Sequence, residues 1–339
     1  MRYLYRLTAE ITDEGGETRS ANRLFRLGFV AVEARIDATV GFHTAGESVE
    51  VPIVRADLDG TPVAGTGSWR LVRLIQPERT LLPADQPVPA PPGRTDFFRT
   101  DGDGLRPRWD TDFTPEVVMA SWPEGREVGD GTLSHGDDGS ASVALGPLKS
   151  GVYRLHYETV DAFGATFNTS RDLVVADRRQ SDLALPATLM LERSSVPVGE
   201  TARLLVGSGL KDQEMVLEIF RDGRRTSREI LHAGHNDGII EIPVTEADRG
   251  GFGVALTMLR DHQLVRRTTS VFVPWDDRRL TLEFASFRDT LRPGARETFR
   301  VTVRGNDQTE VDAGTAELLA YMYDRSLDIF ASHAPPDPL

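Results

Sequence analysis

Apolar and polar residues alternate in short runs along the chain, as in Ser48-Val-Glu-Val-Pro-Ile-Val54, Thr201-Ala-Arg-Leu-Leu-Val206 and Thr298-Phe-Arg-Val-Thr-Val303. Successive side chains of a strand point to opposite faces, so a period of two marks a half-buried strand. Each run follows a glycine turn: Ala45-Gly46-Glu47, Val198-Gly199-Glu200 and Pro293-Gly294-Ala295. Glycine accepts the positive φ that such a turn can require. No long face of 3.6 period appears between Tyr3 and Val303. Strands should therefore dominate, with helices few and short.

A second pattern recurs. Tyr5-Arg6-Leu7 through Thr12-Asp13-Glu14-Gly15-Gly16 to Leu27 matches Tyr153-Arg154-Leu155 through Val160-Asp161-Ala162-Phe163-Gly164 to Val175, at a constant offset of 148. Each copy reads as strand, Asp-to-Gly turn, strand, which is a β-hairpin closing a module. A weaker third copy runs from Phe252 to Val273, turning at Arg260-Asp261-His262.

These patterns predict an all-β chain of tandem immunoglobulin/fibronectin-like sandwiches. Its 339 residues suit two to four sandwiches of about 100 residues each. Residues 1–29 read as the last hairpin of a truncated sandwich, and residues 30–178 as one enlarged sandwich. After the polar linker Asp177-Arg178-Arg179-Gln180-Ser181-Asp182 come a compact sandwich at 184–275 and an incomplete one at 277–339. The chain thus reads as cut from a longer one at both ends. The enlargement lies between Pro77 and about Asp130, where Pro83, Pro87, Pro89, Pro91, Pro92 and Gly93 cluster. Prolines favour extended polyproline conformation and avoid central strands. This stretch is expected to be a surface insertion, a spacer or binding loop, with a short strand around Glu116 to Met119.

Composition narrows the function. Hydrophobic residues at 39% and charged residues at 27% are ordinary for a soluble globular protein. A net charge of −13 argues against a nucleic-acid partner and against docking on anionic lipid. Lys149 and Lys211 are the only lysines, and there is no cysteine, hence no disulfide framework, thiolate metal site or cysteine nucleophile. No run approaches the roughly 18 apolar residues of a membrane span, and residues 1–30 lack a signal-peptide core. No direct membrane insertion of this segment is expected.

Candidate chemistry is sparse. His232 and His235 stand three apart, but Gly234, Asn236, Asp237 and Gly238 make their surroundings a turn without a third ligand. Asp101-Gly-Asp103-Gly104 opens like a calcium loop, yet Arg106 and Asp112 fill the positions where an EF-hand needs glycine and glutamate. His135-Gly136-Asp137-Asp138-Gly139-Ser140 places the residue types of a catalytic triad in one glycine turn, whereas a triad is a geometry between separate elements. Trp69, Trp109, Trp122 and Trp275 could stack sugars, but Trp69 and Trp275 lie in or beside apolar strands and read as core or interface packing. The expectation is no catalytic residue, no metal and no cofactor.

The C-terminal stretch is the most distinctive. Val273-Pro274-Trp275, then Phe287-Arg-Asp-Thr-Leu-Arg-Pro-Gly294, then Met322-Tyr323-Asp324-Arg-Ser-Leu-Asp328 resemble the Val-Pro-Trp joint, the Thr-Phe-Arg-Asp-x-Leu-x-Pro-Gly opening and the Met-Tyr-Asp-x-Ser-Leu-Asp segment of bacterial alpha-2-macroglobulins. Ser286 replaces the threonine of the second motif. Glu317 to Tyr323 reads as a buried strand, with Asp324 capping a short helical turn. The resemblance implies macroglobulin-like modules, which in that family build a cage whose rearrangement after bait cleavage entraps a protease. It implies proteases as targets of the full-length protein, neighbouring macroglobulin-like domains of the same chain as partners, and a periplasmic or cell-envelope location. Without cysteine the chain cannot hold the family's thioester, and the bait is expected after the segment Tyr323 to Asp328. The alternative is an envelope or secreted binding or adhesive array, using the proline-rich insertion or an exposed strand edge. A hydrolase using His135 and nearby acids is the third.

Overall fold

Two sandwiches with the same strand order are built where the alternating runs place their apolar faces. The structure, a computed structural model, describes residues 2–37, 40–86, 114–275, 280–286, 294, 296 and 298–305. In the first sandwich, β3 (Val32–Ile36), β5 (Val49–Asp57) and β8 (Ser140–Leu145) form one sheet in the order β3-β5-β8. The facing sheet has the order β4-β10-β9-β6-β7, from β4 (His43–Thr44), β10 (Thr166–Ala176), β9 (Gly151–Val160), β6 (Gly65–Leu74) and β7 (Glu124–His135). In the second sandwich, β11 (Thr188–Leu191), β12 (Thr201–Gly207) and β15 (Gly238–Pro243) pair as β11-β12-β15. They face β14 (Arg224–His232), β13 (Glu214–Arg221), β16 (Phe252–Arg260) and β17 (Gln263–Val271), paired as β14-β13-β16-β17. Apart from the two-residue β4, which pairs parallel to β10, each strand of the first has a counterpart in the second. This is a tandem of immunoglobulin/fibronectin-like sandwiches.

Alternation fixes both cores. In β5 the residues Val49, Val51 and Ile53 are buried while Glu50 is exposed, and they meet Leu71, Val143, Leu155, Tyr157 and Val175. In the second core Ala202 and Leu204 of β12 meet Met215, Leu217, Val254, Leu256 and Val271. Burying one such aliphatic side chain contributes about 1.5–3 kcal/mol, so β-branched and leucine-rich alternation accounts for these strands without any helix-forming face.

The glycine turns also agree. Gly46, Gly199 and Gly294 all hold φ near +80° (81°, 88° and 78°), a region that L side chains disfavour. The amides of Gly46 and Gly199 donate to Leu148 and Val244, carbonyls just beyond β8 and β15. Each turn thereby ties the start of the middle strand to the strand that flanks it.

Before the first sandwich stands the hairpin of β1 (Arg2–Thr12) and β2 (Thr18–Gly28). Its register, Tyr5↔Phe25 and Thr12↔Thr18, is that of β9 and β10, Tyr153↔Leu173 and Val160↔Thr166. The turns coincide too. Asp13 Oδ1 accepts from Glu17 N at 2.9 Å, as Asp161 Oδ1 accepts from Ala165 N at 2.9 Å, and Gly16 and Gly164 close them at φ 83° and 85°. The third hairpin, β16 and β17, differs: Asp261 and His262, both at positive φ, form a two-residue turn of the hairpin type.

Three expectations about the insertion are corrected. Residues 115–120 form α1 (Pro115–Ala120) rather than a strand, because Thr114 caps its start and Pro115 occupies the first turn. The insertion ends before β7 at Glu124, not near Asp130, since β7 pairs along the whole of β6. Its flanks are not surface chain: Leu82, Val118, Met119 and Trp122 are buried. The same connection in the second sandwich is the two-residue turn Asp222-Gly223 between β13 and β14.

These elements belong to one compact unit, Met1–Pro274, and a second unit covers Trp275–Leu339. In the latter, β18 (Thr281–Ser286) pairs antiparallel with β19 (Arg300–Arg304). The readings for Asp101 to Asp112, Trp109, and Glu317 to Asp328 lie outside the described residues.

Candidate functional site

The residues singled out for chemistry are placed by the turns and core that hold them. His135 ends β7 and is buried. Its Nδ1 lies 2.8 Å from the Gly139 carbonyl and its Nε2 lies 2.7 Å from the Tyr157 hydroxyl. Both ring nitrogens are thus engaged, neither with a carboxylate nor with Ser140. Ser140 instead donates to Asp138 Oδ2 at 2.6 Å, within its own turn. The Asp138 carboxyl is held below its usual range by the side-chain and backbone hydrogen bonds of Ser140. The triad residue types are therefore divided between a buried structural histidine and an exposed Asx turn.

His135 belongs to a polar cluster at one end of the first sandwich. Arg55 of β5 is buried there, donating Nε to Thr159 Oγ1 at 3.0 Å and Nη2 to the Val160 carbonyl at 3.0 Å. Its Nη1 also reaches the carbonyls of Val63 and Ala64. A guanidinium that donates to three carbonyls and a hydroxyl clamps three chain segments together. Sequence reasoning passed over Arg55; the signal was an arginine at an apolar position of the β5 alternation.

His232 and His235 flank a turn in which His235 N and Asn236 N donate to the His232 carbonyl. Among the described residues, no three His, Asp or Glu side chains gather to hold a metal. Trp69 is half-buried, packed against the first core and lying over Gly129 and Gly131 of β7. Trp122 is buried, and Trp275 is half exposed. On the outer face of the first sandwich Glu124 accepts from His156 at 2.7 Å and lies beside Arg70 and Arg154; Arg70 and His156 also line an open polar depression with Ser68, Glu158 and Asn168.

A third long-range cluster lies at the junction between the sandwiches. An apolar cluster there joins Phe42, Leu74, Val152 and Val174 of the first sandwich to Leu205 of the second. Leu183 and Leu185, just after the linker, fill it, as do Val118, Met119 and Trp122 from the insertion. Polar contacts rim it. Gly41 N donates to the Glu192 carbonyl at 2.8 Å, and Arg203 bridges Glu192 and Thr44 at 2.7 and 3.1 Å. The geometry is that of a packed joint between the two modules. Among the described residues, no helix is long and apolar enough to cross a membrane.

Residues 187–327 match the family model described as the alpha-2-macroglobulin bait region domain. The match ends one residue short of Asp328, after which the resemblance puts the bait segment itself. No curated protein matches the chain. Similar solved structures include native Escherichia coli alpha-2-macroglobulin, at 15% identity over 90% of this chain and 19% of that one, with a TM-score of 0.28. A point mutant of Salmonella alpha-2-macroglobulin has 12% identity over 90% of this chain and 20% of that one, TM-score 0.29. Trypsin-activated Escherichia coli alpha-2-macroglobulin has 13% identity over 90% and 21%, TM-score 0.28. The chain therefore spans 19–21% of the length of these structures. Likeness of that degree carries no argument by itself, so the similarity to the alpha-2-macroglobulin family rests on the match of residues 187–327 to its bait region domain.

Proposed function

We propose that this chain is a scaffold segment of a bacterial alpha-2-macroglobulin-like protein, a broad-spectrum protease-trapping inhibitor that works outside the cytoplasm. The observation that carries the reading is the bait region domain match over residues 187–327. In this reading residues 30–178 and 184–275 are two macroglobulin-like modules, and residues 1–29 and 277–339 belong to their incomplete neighbours. The repeated strand order of the two sandwiches supports that division. The segment contributes rigid wall, proteases are targets of the whole protein, and no catalysis is expected of the segment itself.

Entrapment is steric, so it predicts a split between substrates of different size. The full-length protein, mixed with trypsin, should suppress hydrolysis of casein while sparing a small chromogenic amide. The isolated chain should change neither rate. A full-length protein that leaves casein hydrolysis untouched, or that blocks the small amide equally, would refute the trap.

A further inference from the structure

We propose that the two flanks of the insertion, residues 76–86 and 114–122, act as a clasp that fixes the angle between the two sandwiches. The inference rests on packing geometry alone and stands whether or not the protein traps proteases.

The first flank leaves β6 of the first sandwich and runs onto the second. Gln76 Oε1 accepts from Ala184 N at 2.7 Å, where the linker enters the second sandwich. Thr80 Oγ1 donates to the Gly209 carbonyl at 3.0 Å. Gly209 has to be glycine for this approach: a Cβ there would stand 2.5 Å from both Thr80 Oγ1 and the Leu183 carbonyl. Leu82 then inserts into the core of the second sandwich, packed with residues of β12, β13, β16 and β17. Ala84 N finally donates to Oε1 of the buried Gln263 at 2.8 Å.

The second flank returns to the first sandwich through α1. Val118, Met119 and Trp122 supply the layer between Phe42 and Val174 on one side and Leu205 on the other. Arg154 of β9 donates Nη2 to the Ala120 carbonyl at 3.1 Å, which holds the end of α1 on its own sandwich. Both flanks thus contribute to the junction in addition to the linker, with a buried side chain of one module's insertion completing the other module's core. A single linker leaves neighbouring domains free to reorient unless their interface is large and apolar. Three segments around a shared apolar layer, the linker and the two flanks, remove that freedom, and unseating the clasp is the step that would restore it.

Because the chain has no cysteine, spin labels can be placed uniquely at exposed Ser142 of β8 and Arg228 of β14 through Ser142→Cys and Arg228→Cys. The distance distribution in the otherwise native chain should be single and narrow. Thr80→Val with Leu82→Asp should broaden it to about twice its width, with the far-ultraviolet spectrum unchanged. Should that variant lose its β signal, Trp122→Ala, which touches only the shared layer, takes its place with the same expectation. A distribution that stays narrow in a folded variant of either kind overturns the clasp, because the linker and the direct contacts between the sandwiches then fix the angle without it.

Discussion

Two buried aspartates of the second sandwich show how environment decides what a carboxylate does to stability. Burial pushes the Asp237 carboxyl up, and the backbone N–H groups around it, Gly234 N at 3.0 Å among them, do not offset that cost. Burial alone would raise Asp248 as well, but Arg221 and both the amide and hydroxyl of Thr245 outweigh it, so this carboxyl is lowered. The signs are opposite. Asp237 contributes stability below its unfolded pKa, and this is lost as pH rises through its raised folded value. The contribution of Asp248 is present above its unfolded pKa and is lost as pH falls through its lowered folded value. Asp237→Asn keeps the acceptor for Gly234 N and removes the buried charge, so it should stabilise the protein at neutral pH by about 1 kcal/mol. Asp248→Asn leaves the partly exposed Arg221 uncompensated and should cost about 2 kcal/mol at neutral pH. Both differences should shrink toward pH 3 in urea titrations. A neutral-pH loss for Asp237→Asn would show that its carboxylate is held by something other than burial.

At the scale of elements, the local rules were legible and the exception was instructive. The turn from Asp13 to Gly16 and the turn from Asp161 to Gly164 share their first and last residues, the φ of the closing glycine and the hydrogen bonds of the aspartate, so their hairpins share register. That was readable from an offset in the sequence because a hairpin is specified by residues close along the chain. Residues 116–119 were misread as a strand, since Val117 and Val118 favour one, while the cap at Thr114 and Pro115 decided for a helix. What sequence periodicity does not carry is which equivalent face is covered. Leu155 is 0% exposed under the β3-β5-β8 sheet, whereas Leu7, at the same hairpin position, is 61% exposed. Leu155→Ala should thus cost about 3 kcal/mol and Leu7→Ala no more than about 0.5 kcal/mol in denaturant midpoints of this chain. Equal losses at the two positions would mean that β1 and β2 are packed against something in solution.

Over the whole molecule, the tandem of sandwiches was legible and the joint between them was not. Each core draws on strands whose alternation announces it, but the junction gathers Phe42, Trp122, Val152, Leu183 and Leu205 from five unrelated stretches. No single one of them has a period that points toward the others, and the prolines near residues 83–93 pointed to solvent instead. His135 and Ser140 part for a related reason: they are near in sequence, but the strand end sends one inward to Tyr157 and the turn keeps the other at the surface. The joint has a thermodynamic consequence that separate modules would lack. Met215 is fully buried in the second core, so Met215→Ala should cost about 3 kcal/mol there. Independent modules would confine that loss to β11–β17. With Leu82 of the first sandwich's insertion in the second core, and Leu205 of the second in the shared layer, unfolding of one module strips apolar contacts from the other. Hydrogen exchange in Met215→Ala should therefore accelerate in β5 and β9 as well as in β12 and β16, by comparable factors under conditions where exchange reports global opening. Acceleration confined to the second sandwich would show that the shared layer positions the modules without coupling their stability.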